Sequence, residues 1–414
     1  MVFYFNTLNA RNSSVIIKRH IPFLKTVFWH SLTAFGGPQM HLIRMQKLFV
    51  SKTPYITNQE LGDYNAFVQL LPGASSSQTV TLIGLKRGGW LLACLTLLIW
   101  MLPACILMSL LSYLLQYIDS KDLSSHMFKY VQPMALGFLL YSAIKSFKLF
   151  ISHQATFFIM LGAFLVTAFI NSPWVFPALI IVGGFISNFS NKRIPEPTNK
   201  PKPINWNNLW LFAFIFLLAG VLSEVARVYN WELRKPISLF ENFYRFGSLV
   251  FGGGYVLIPM IFEQYVIRSK TAYLSSGAFL TGTGMVQAFP GPTFSIAAFV
   301  GGMVLRHMGP QYQLLGSIIA SIAIFLPSLL LVFFFFPIWN KLKKYVVIIR
   351  AIEGINAVVV GIIFGSLILF FTKTHIMEDW HNYLIILGTY LILMHTKLSP
   401  PFVVMICVAL GFVF

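Results

Sequence analysis

The sequence predicts an all-α polytopic membrane protein: two inverted-topology repeats of about six helices, joined by an extra transmembrane helix, with Pro-Gly-broken helices in each repeat. Three observations predict it. Hydrophobic residues make up 57% of the 414 and charged residues only 10%, with a mean hydropathy of +0.74, whereas soluble domains carry about 25% charged residues. Apolar runs of roughly the twenty residues that a helix needs to cross a bilayer follow one another almost from end to end. Short motifs also recur in order: "FGG" at Phe35 and Phe251, "VQLLPG" at Val68 and "VQAFPG" at Val286, "LPA" at Leu102 and "LPS" at Leu326. Ordered self-similarity of this kind marks an internal duplication.

Taken in order, membrane segments are expected near residues 21–37, 61–84, 89–117, 131–150, 155–171 and 174–189, then 208–228, then 240–258, 275–303, 312–337, 351–371, 382–395 and 399–414. The hydrophilic, proline-rich stretch "NKRIPEPTNKPKPINWNN", from Asn191 to Asn208, has neither the periodicity nor the apolar content to fold or insert, and reads as a linker. The chain therefore divides into a first repeat (1–190), a cytoplasmic linker (191–207), a connecting transmembrane helix (208–230) and a second repeat (231–414). One helix between the repeats makes the second enter the membrane from the opposite side.

Charge sets the orientation. The net charge of +18 belongs to helix flanks rather than to a nucleic-acid surface. Placing the N-terminus inside puts most Lys and Arg on the cytoplasmic face, including Lys86, Arg87, Lys145, Lys148, the linker cluster, Lys341, Lys343 and Lys344. Arg44, Lys47 and Lys52 fit this scheme poorly, so "HLIRMQKLFV" is either a loop or an interfacial or re-entrant segment. Cys94, Cys105 and Cys407 lie in apolar runs without metal-ligand spacing and read as packing residues. No apolar stretch followed by a small-residue cleavage site opens the chain, so no cleaved signal peptide is expected.

The breaks carry the functional expectation. Proline lacks an amide donor and glycine weakens a helix, so Pro72-Gly73 and Pro290-Gly291-Pro292 should unwind or restart their helices. In lipid such breaks must face protein or a wet cavity. A restarted helix offers free amides and the positive end of its dipole to an anion, and the residues just beyond add hydroxyls: Ser75, Ser76 and Ser77 in one copy, Thr293 and Ser295 in the other. Gln69 and Gln287 recur beside the breaks, able either to donate to an anion or to tie the broken backbone. Gly36, Gly37, Gly252 and Gly253 allow close backbone approach. With Pro72, Gly73, Pro290 and Gly291 these form the candidate substrate site of a transporter with paired interrupted helices; the plain alternative is helix packing and kinking.

Glu60, three residues after Thr57, fits a capping box. Asp63, one turn on, is a candidate coupling or gating carboxylate, or a helix-dipole partner. Glu224 and Arg227 are spaced to pair with each other. His30, His41 and the other histidines show no metal-ligand spacing, and no phosphate loop, nucleophile elbow or paired-carboxylate motif stands out. No metal, cofactor or catalytic residue is expected, which leaves a carrier or a channel ahead of a membrane enzyme.

The segments "TAFGGPQMHLIRMQ", "QLLPGASSSQTVTLIGLKRGGW" with "LPA" following, and "FGGGYVLIPM" with "QAFPGPTFSIAAFVGG" resemble the signatures of the chromate ion transporter family in its long, two-domain form, over essentially the whole chain. The resemblance implies a multi-pass protein of the bacterial cytoplasmic membrane that moves chromate, or a related oxyanion such as sulfate, by efflux driven by the proton motive force. Composition and spacing do not name chromate. The chain departs from the family at Pro72-Gly73-Ala74, where the first-half motif is Pro-Gly-Pro. The partners expected are an inorganic oxyanion and the lipid bilayer, with no nucleic acid; a homo-oligomer is left open.

Overall fold

The computed structural model describes residues 10–119, 127–170, 172, 174–189, 207–251, 254, 256–268, 273–339 and 346–413, and all regular structure among them is helical. The first half contains α1 (Ala10–Thr33), α2 (Gly37–Met45, prolonged by a π-turn, Gln46–Lys52), α3 (Asn58–Val68), α4 (Ser75–Asp119), α5 (Val131–Phe150), α6 (Gln154–Phe169) and α7 (Val175–Ile186). After α8 (Asn207–Val228) come α9 (Arg234–Leu249), α10 (Leu257–Phe262, prolonged by a π-turn, Glu263–Ile267), α11 (Ser276–Met285), α12 (Ile296–Leu305), α13 (Pro310–Phe335), α14 (Val346–Lys373), α15 (Trp380–His395) and α16 (Pro400–Val413). The proposed linker falls outside the described residues except at its last residue, Asn207, which opens α8.

Local chemistry places the helix starts. Thr57 and Glu60 form a reciprocal capping box at α3, and the Ser275 hydroxyl accepts from Ala278 N–H at α11. Proline occupies the first turn of α2 and of α13, where its missing donor costs nothing. α4 is two helices in series, because Gly88 (φ −151°) and Gly89 (φ +73°) leave helical geometry between them.

Four of the expected crossings belong to helical hairpins. Lys86 Nζ lies 2.5 Å from Glu60 Oε1, whereas a continuous helix would hold these residues roughly 39 Å apart. So α3 enters, reverses at Pro72-Gly73, and the first part of α4 returns alongside it. The same holds for α11 and α12, since a Cβ at Gly282 would strike the Phe299 ring and a straight helix would separate the two by roughly 25 Å. α1 and α2 fold back through Gly36 (φ +88°) and Gly37 (φ +79°), bringing Arg44 Nε within 2.8 Å of Thr33 Oγ1 and Tyr55 edge-on to Phe23. α9 and α10 do likewise, with Phe243 stacked on Tyr265 at 5.8 Å. "HLIRMQKLFV" is thus the returning limb of a helical hairpin. Hydropathy measures the length of an apolar run and is blind to a reversal inside it; a glycine at positive φ turns the chain where a proline alone would only kink it.

The remaining helices pack side by side. Among the described residues, Leu209–Val228, Pro310–Ile338 and Arg350–Lys373 are long and apolar enough to span a bilayer, as is the run Ser75–Ile118, which contains the second part of α4. Small residues bring them together: Gly361 and Gly365 of α14 lie on Met160, Ala163, Phe164 and Thr167 of α6, Gly137 of α5 lies on Ile386 and Thr389 of α15, and Gly183 of α7 on Val358 of α14. α8 keeps Trp210, Phe214, Leu217 and Val221 exposed, an apolar surface fit for lipid rather than water. The protein is an all-α polytopic membrane protein.

Candidate functional site

A helix ends with backbone carbonyls that lack intrahelical donors, and in an apolar surrounding each orphan costs several kcal/mol, on the order of 2–7. At the ends of α1 and α9 the donors come from the opposite half of the chain. Gly73 N–H donates to Val250 O at 2.6 Å, and Gly291 N–H donates to Ala34 O at 2.8 Å. Ala34 and Val250 each stand immediately before an "FGG" motif, so each broken hairpin is latched to the other copy's glycine turn. The packing is exchanged too. A Cβ at Gly73 would collide with Ser328 Oγ, and one at Gly291 would lie 2.8 Å from Ala104 Cβ; Ala104 and Ser328 end the "LPA" and "LPS" motifs. Ala74 N–H also points at Ser328 Oγ, at 3.4 Å. Each tip is therefore met by the "FGG" and "LPA" or "LPS" motifs of one copy, and Trp100 links the two tips, its carbonyl oxygen 3.8 Å from where a Gly291 Cβ would stand and its indole bonded to Ser77. Ala104 sits about halfway along the 90–119 stretch of α4, which puts the tips deep in the helix layer.

Of the candidate residues, Gly36 caps α2 and Gly37 opens it. Pro72 and Gly73 form the first tip, Pro290 and Gly291 the second, with φ of +114° at Gly73 and +111° at Gly291. Ser75, Ser76 and Ser77 are buried in the first turn of α4; Ser295 is buried and Thr293 half-buried in the single 3-10 turn (Thr293–Ser295) that leads into α12. Gln69 ends α3 and Gln287 follows α11, both half-buried at the approach to a tip. Gly252 and Gly253 lie outside the described residues, but Gly254 (φ +102°) lies against Phe294 and Thr293. Asp63 is exposed on the second turn of α3 and is not brought to the tips. The two tip-glycine amides, expected to face an anion, are taken by Val250 and Ala34. The first-turn amides of Ser75 to Ser77 have no intrahelical acceptor of their own.

Residues that spacing did not single out complete the surroundings. Trp100, fully buried on α4, donates Nε1–H to Ser77 Oγ at 3.0 Å. His30 stacks on Trp100 with centroids 4.6 Å apart, and His41 meets the same indole edge-on at 5.3 Å. Gln78 donates Nε2–H to Pro72 O at 2.7 Å, tying the first tip to its own helix. Around this group both ring nitrogens of His30, Gln78 Oε1 and Ser295 Oγ are buried without a hydrogen-bond partner. Buried polar atoms are nearly always satisfied, so this concentration points to a site for a polar guest. Arg245, one turn before Val250, is a buried cation that donates to Glu241 Oε1 at 2.8 Å and Asn242 Oδ1, with one guanidinium nitrogen unpartnered. The signal for the histidines was their position: each flanks the Gly36-Gly37 turn by a few residues, a proximity that matters only once the turn is known to reverse.

The charged pairs outside the tips behave structurally. Glu60 accepts from Thr57 N–H and pairs with Lys86, which holds its carboxyl below the usual range. Glu224 and Arg227 pair on the exposed face of α8. All three cysteines are free.

A family model described as chromate transporter matches residues 21–187 and 237–412. An uncharacterized transporter of Methanocaldococcus jannaschii is 24% identical over 407 residues, covering 98% of this chain and 96% of that protein. A chromate transport protein of Cupriavidus metallidurans is 25% identical, covering 92% of this chain and 89% of that one, and one from Pseudomonas aeruginosa is 22% identical over 80% and 76%. No solved structure matches the chain. With both halves matched by one family model, each over a segment that contains its two latched hairpins, the chain belongs to the chromate transporter family.

Proposed function

We propose that the protein is a secondary active transporter of chromate or a related tetrahedral oxyanion such as sulfate, acting by efflux across a bacterial cytoplasmic membrane at the expense of the proton motive force. The observation that carries this reading is the linkage of the two hairpin tips through Trp100, each tip beside a first helical turn bearing hydroxyls, among buried polar atoms that lack partners. Ser75, Ser76 and Ser77 on one side and Thr293 and Ser295 on the other offer neutral donors to a divalent anion, with hydrogen bonds to charge worth about 1.5–3 kcal/mol each. The two halves act as inverted repeats, each made of two re-entrant hairpins followed by spanning helices, in the arrangement by which transporters place substrate at a repeat interface. Carrier rather than channel is favoured by the closed packing of Phe23, Val27 and Phe49, all fully buried, between the tips and the nearer surface.

Purified protein in proteoliposomes should move labelled chromate, with a rate set by imposed pH and voltage gradients. Ser295→Ala should weaken substrate affinity roughly tenfold while leaving thermal stability unchanged or slightly higher, because it removes a hydroxyl that has no partner in the empty protein. Flux of neither chromate nor sulfate above that of empty liposomes would overturn the assignment.

A further inference from the structure

One face of α1 carries His20, Phe23, Val27 and His30, with Ala34 just past the helix end, all buried and the first four spaced as a helix stripe. The stripe runs from the Gly36-Gly37 tip to the surface, where it meets a cavity of about 320 Å³ lined by Arg19, His20, Tyr55, Lys86 and Arg87. Three segments of the first half build it: α1, the end of the α2 limb, and the end of the returning limb of α4. Lys86 is balanced by Glu60, but among the described residues no carboxylate pairs with Arg19 or Arg87. Arg87 is instead held flat, its guanidinium carbon 4.3 Å from the centre of the Tyr55 ring and 5.6 Å from that of Phe23. Stacking fixes the group while leaving its N–H fork unspent. His20 is buried with Nδ1 unpartnered, and burial, reinforced by Arg87 and Arg19, lowers its pKa, so at neutral pH it stands as a neutral donor among cations.

Part of this arrangement has a counterpart in the second half of the chain. Lys235 precedes the second "FGG" by the same number of residues as Arg19 precedes the first, and Tyr273 precedes the second Pro-Gly by the same number as Tyr55 precedes the first. Lys235 Nζ lies 5.5 Å from the centre of the Tyr273 ring. In the second copy the counterpart of Arg19 stands over the tyrosine, whereas in the first copy Arg87 takes that place.

We propose that the cavity of Arg19, His20, Tyr55, Lys86 and Arg87 is a docking site for a tetrahedral oxyanion outside the Phe23, Val27 and Phe49 seal, from which the anion passes to the hairpin tips when the seal opens. The proposal rests on the transport reading above. A fixed guanidinium and a second cation around a pocket of this size suit a small dianion, and focused positive potential at a mouth raises the rate of encounter.

The test is transport of labelled chromate and sulfate in liposomes of neutral phosphatidylcholine, with substrate presented at the Arg87 face. Arg87→Gln is expected to raise KM roughly three- to tenfold with kcat kept, Arg87→Lys to recover most of the loss, and the wild-type KM to rise more steeply with salt than that of Arg87→Gln. An unchanged KM in Arg87→Gln overturns the docking site while leaving transport standing. Equal damage by Arg87→Lys and Arg87→Gln also overturns it, because the arginine would then act only through stacking. An effect seen only when phosphatidylglycerol is added would assign the cavity to a lipid headgroup and overturn the proposal for the free anion. If wild-type protein moves neither anion, both readings fall together.

Discussion

At Gly73 two constraints coincide: a φ of +114°, which an L side chain adopts only at a cost of about 1–2 kcal/mol, and a Ser328 hydroxyl standing where a Cβ would go. Gly73→Ala should therefore destabilise the protein by roughly 2–4 kcal/mol in thermal unfolding in detergent. Gly73→Ala combined with Ser328→Gly should recover about half of that, since the second change removes the collision and not the backbone strain. A double variant no better than the single would mean that the clash is irrelevant. The sequence made Gly73 and Gly291 conspicuous because each follows proline in an apolar run. It did not reveal that their amides bond across the molecule, because a hydrogen bond between residues so distant in the chain leaves no local pattern. Trp100, His30 and His41 were hidden for a similar reason: their burial and stacking arise from a fold-back, and each is unremarked in its own helix.

On the scale of elements, the hairpin is what separates expectation from structure. Apolar length predicted a helix across 61–84, and a helical pair with both ends on one face was found, joined at its open end by Glu60 and Lys86. Their pairing has a pH signature. Glu60 in the folded state titrates below its ordinary value of 4.5, chiefly through the bond from Lys86 and then through that from Thr57 N–H, so the unfolded chain binds the proton more readily. The stabilisation is complete above the ordinary value and is lost as pH falls through the lower folded one. The difference in unfolding temperature between wild type and Lys86→Met should be constant near neutrality and shrink in acid below about pH 4.5; a difference that stays constant through that range would remove the ion pair from the hairpin. The capping box at Thr57 and the Glu224–Arg227 pair were legible because both are contacts within four residues of sequence, where spacing decides geometry. Asp63 was within the same reach of sequence reasoning, yet its exposure depended on which face of α3 packs inward, and that is set by α4.

For the whole molecule, taking four hairpin segments from the thirteen crossings expected of the sequence still leaves an odd number, as the inverted reading requires. Introduced cysteines at Arg19 and Arg87 should thus be labelled from one side of the membrane and those at Lys235 and Tyr273 from the other, in a background lacking Cys94, Cys105 and Cys407. Labelling of all four from one side would contradict the inverted arrangement. Composition was enough to place the chain in a bilayer, since it is a sum over many residues. It did not show the interlocking of the halves, because that depends on which tip meets which turn. That interlocking bears on ancestry. A single copy of the repeat would leave one glycine amide and one helix-end carbonyl with no counterpart, and the other half of the chain supplies both. Once the copies are fused, neither glycine turn is free to drift alone: a change at Gly73 is felt first at Val250 and Ser328, and a change at Gly291 at Ala34 and Ala104, so each half is inherited under the selection acting on its twin.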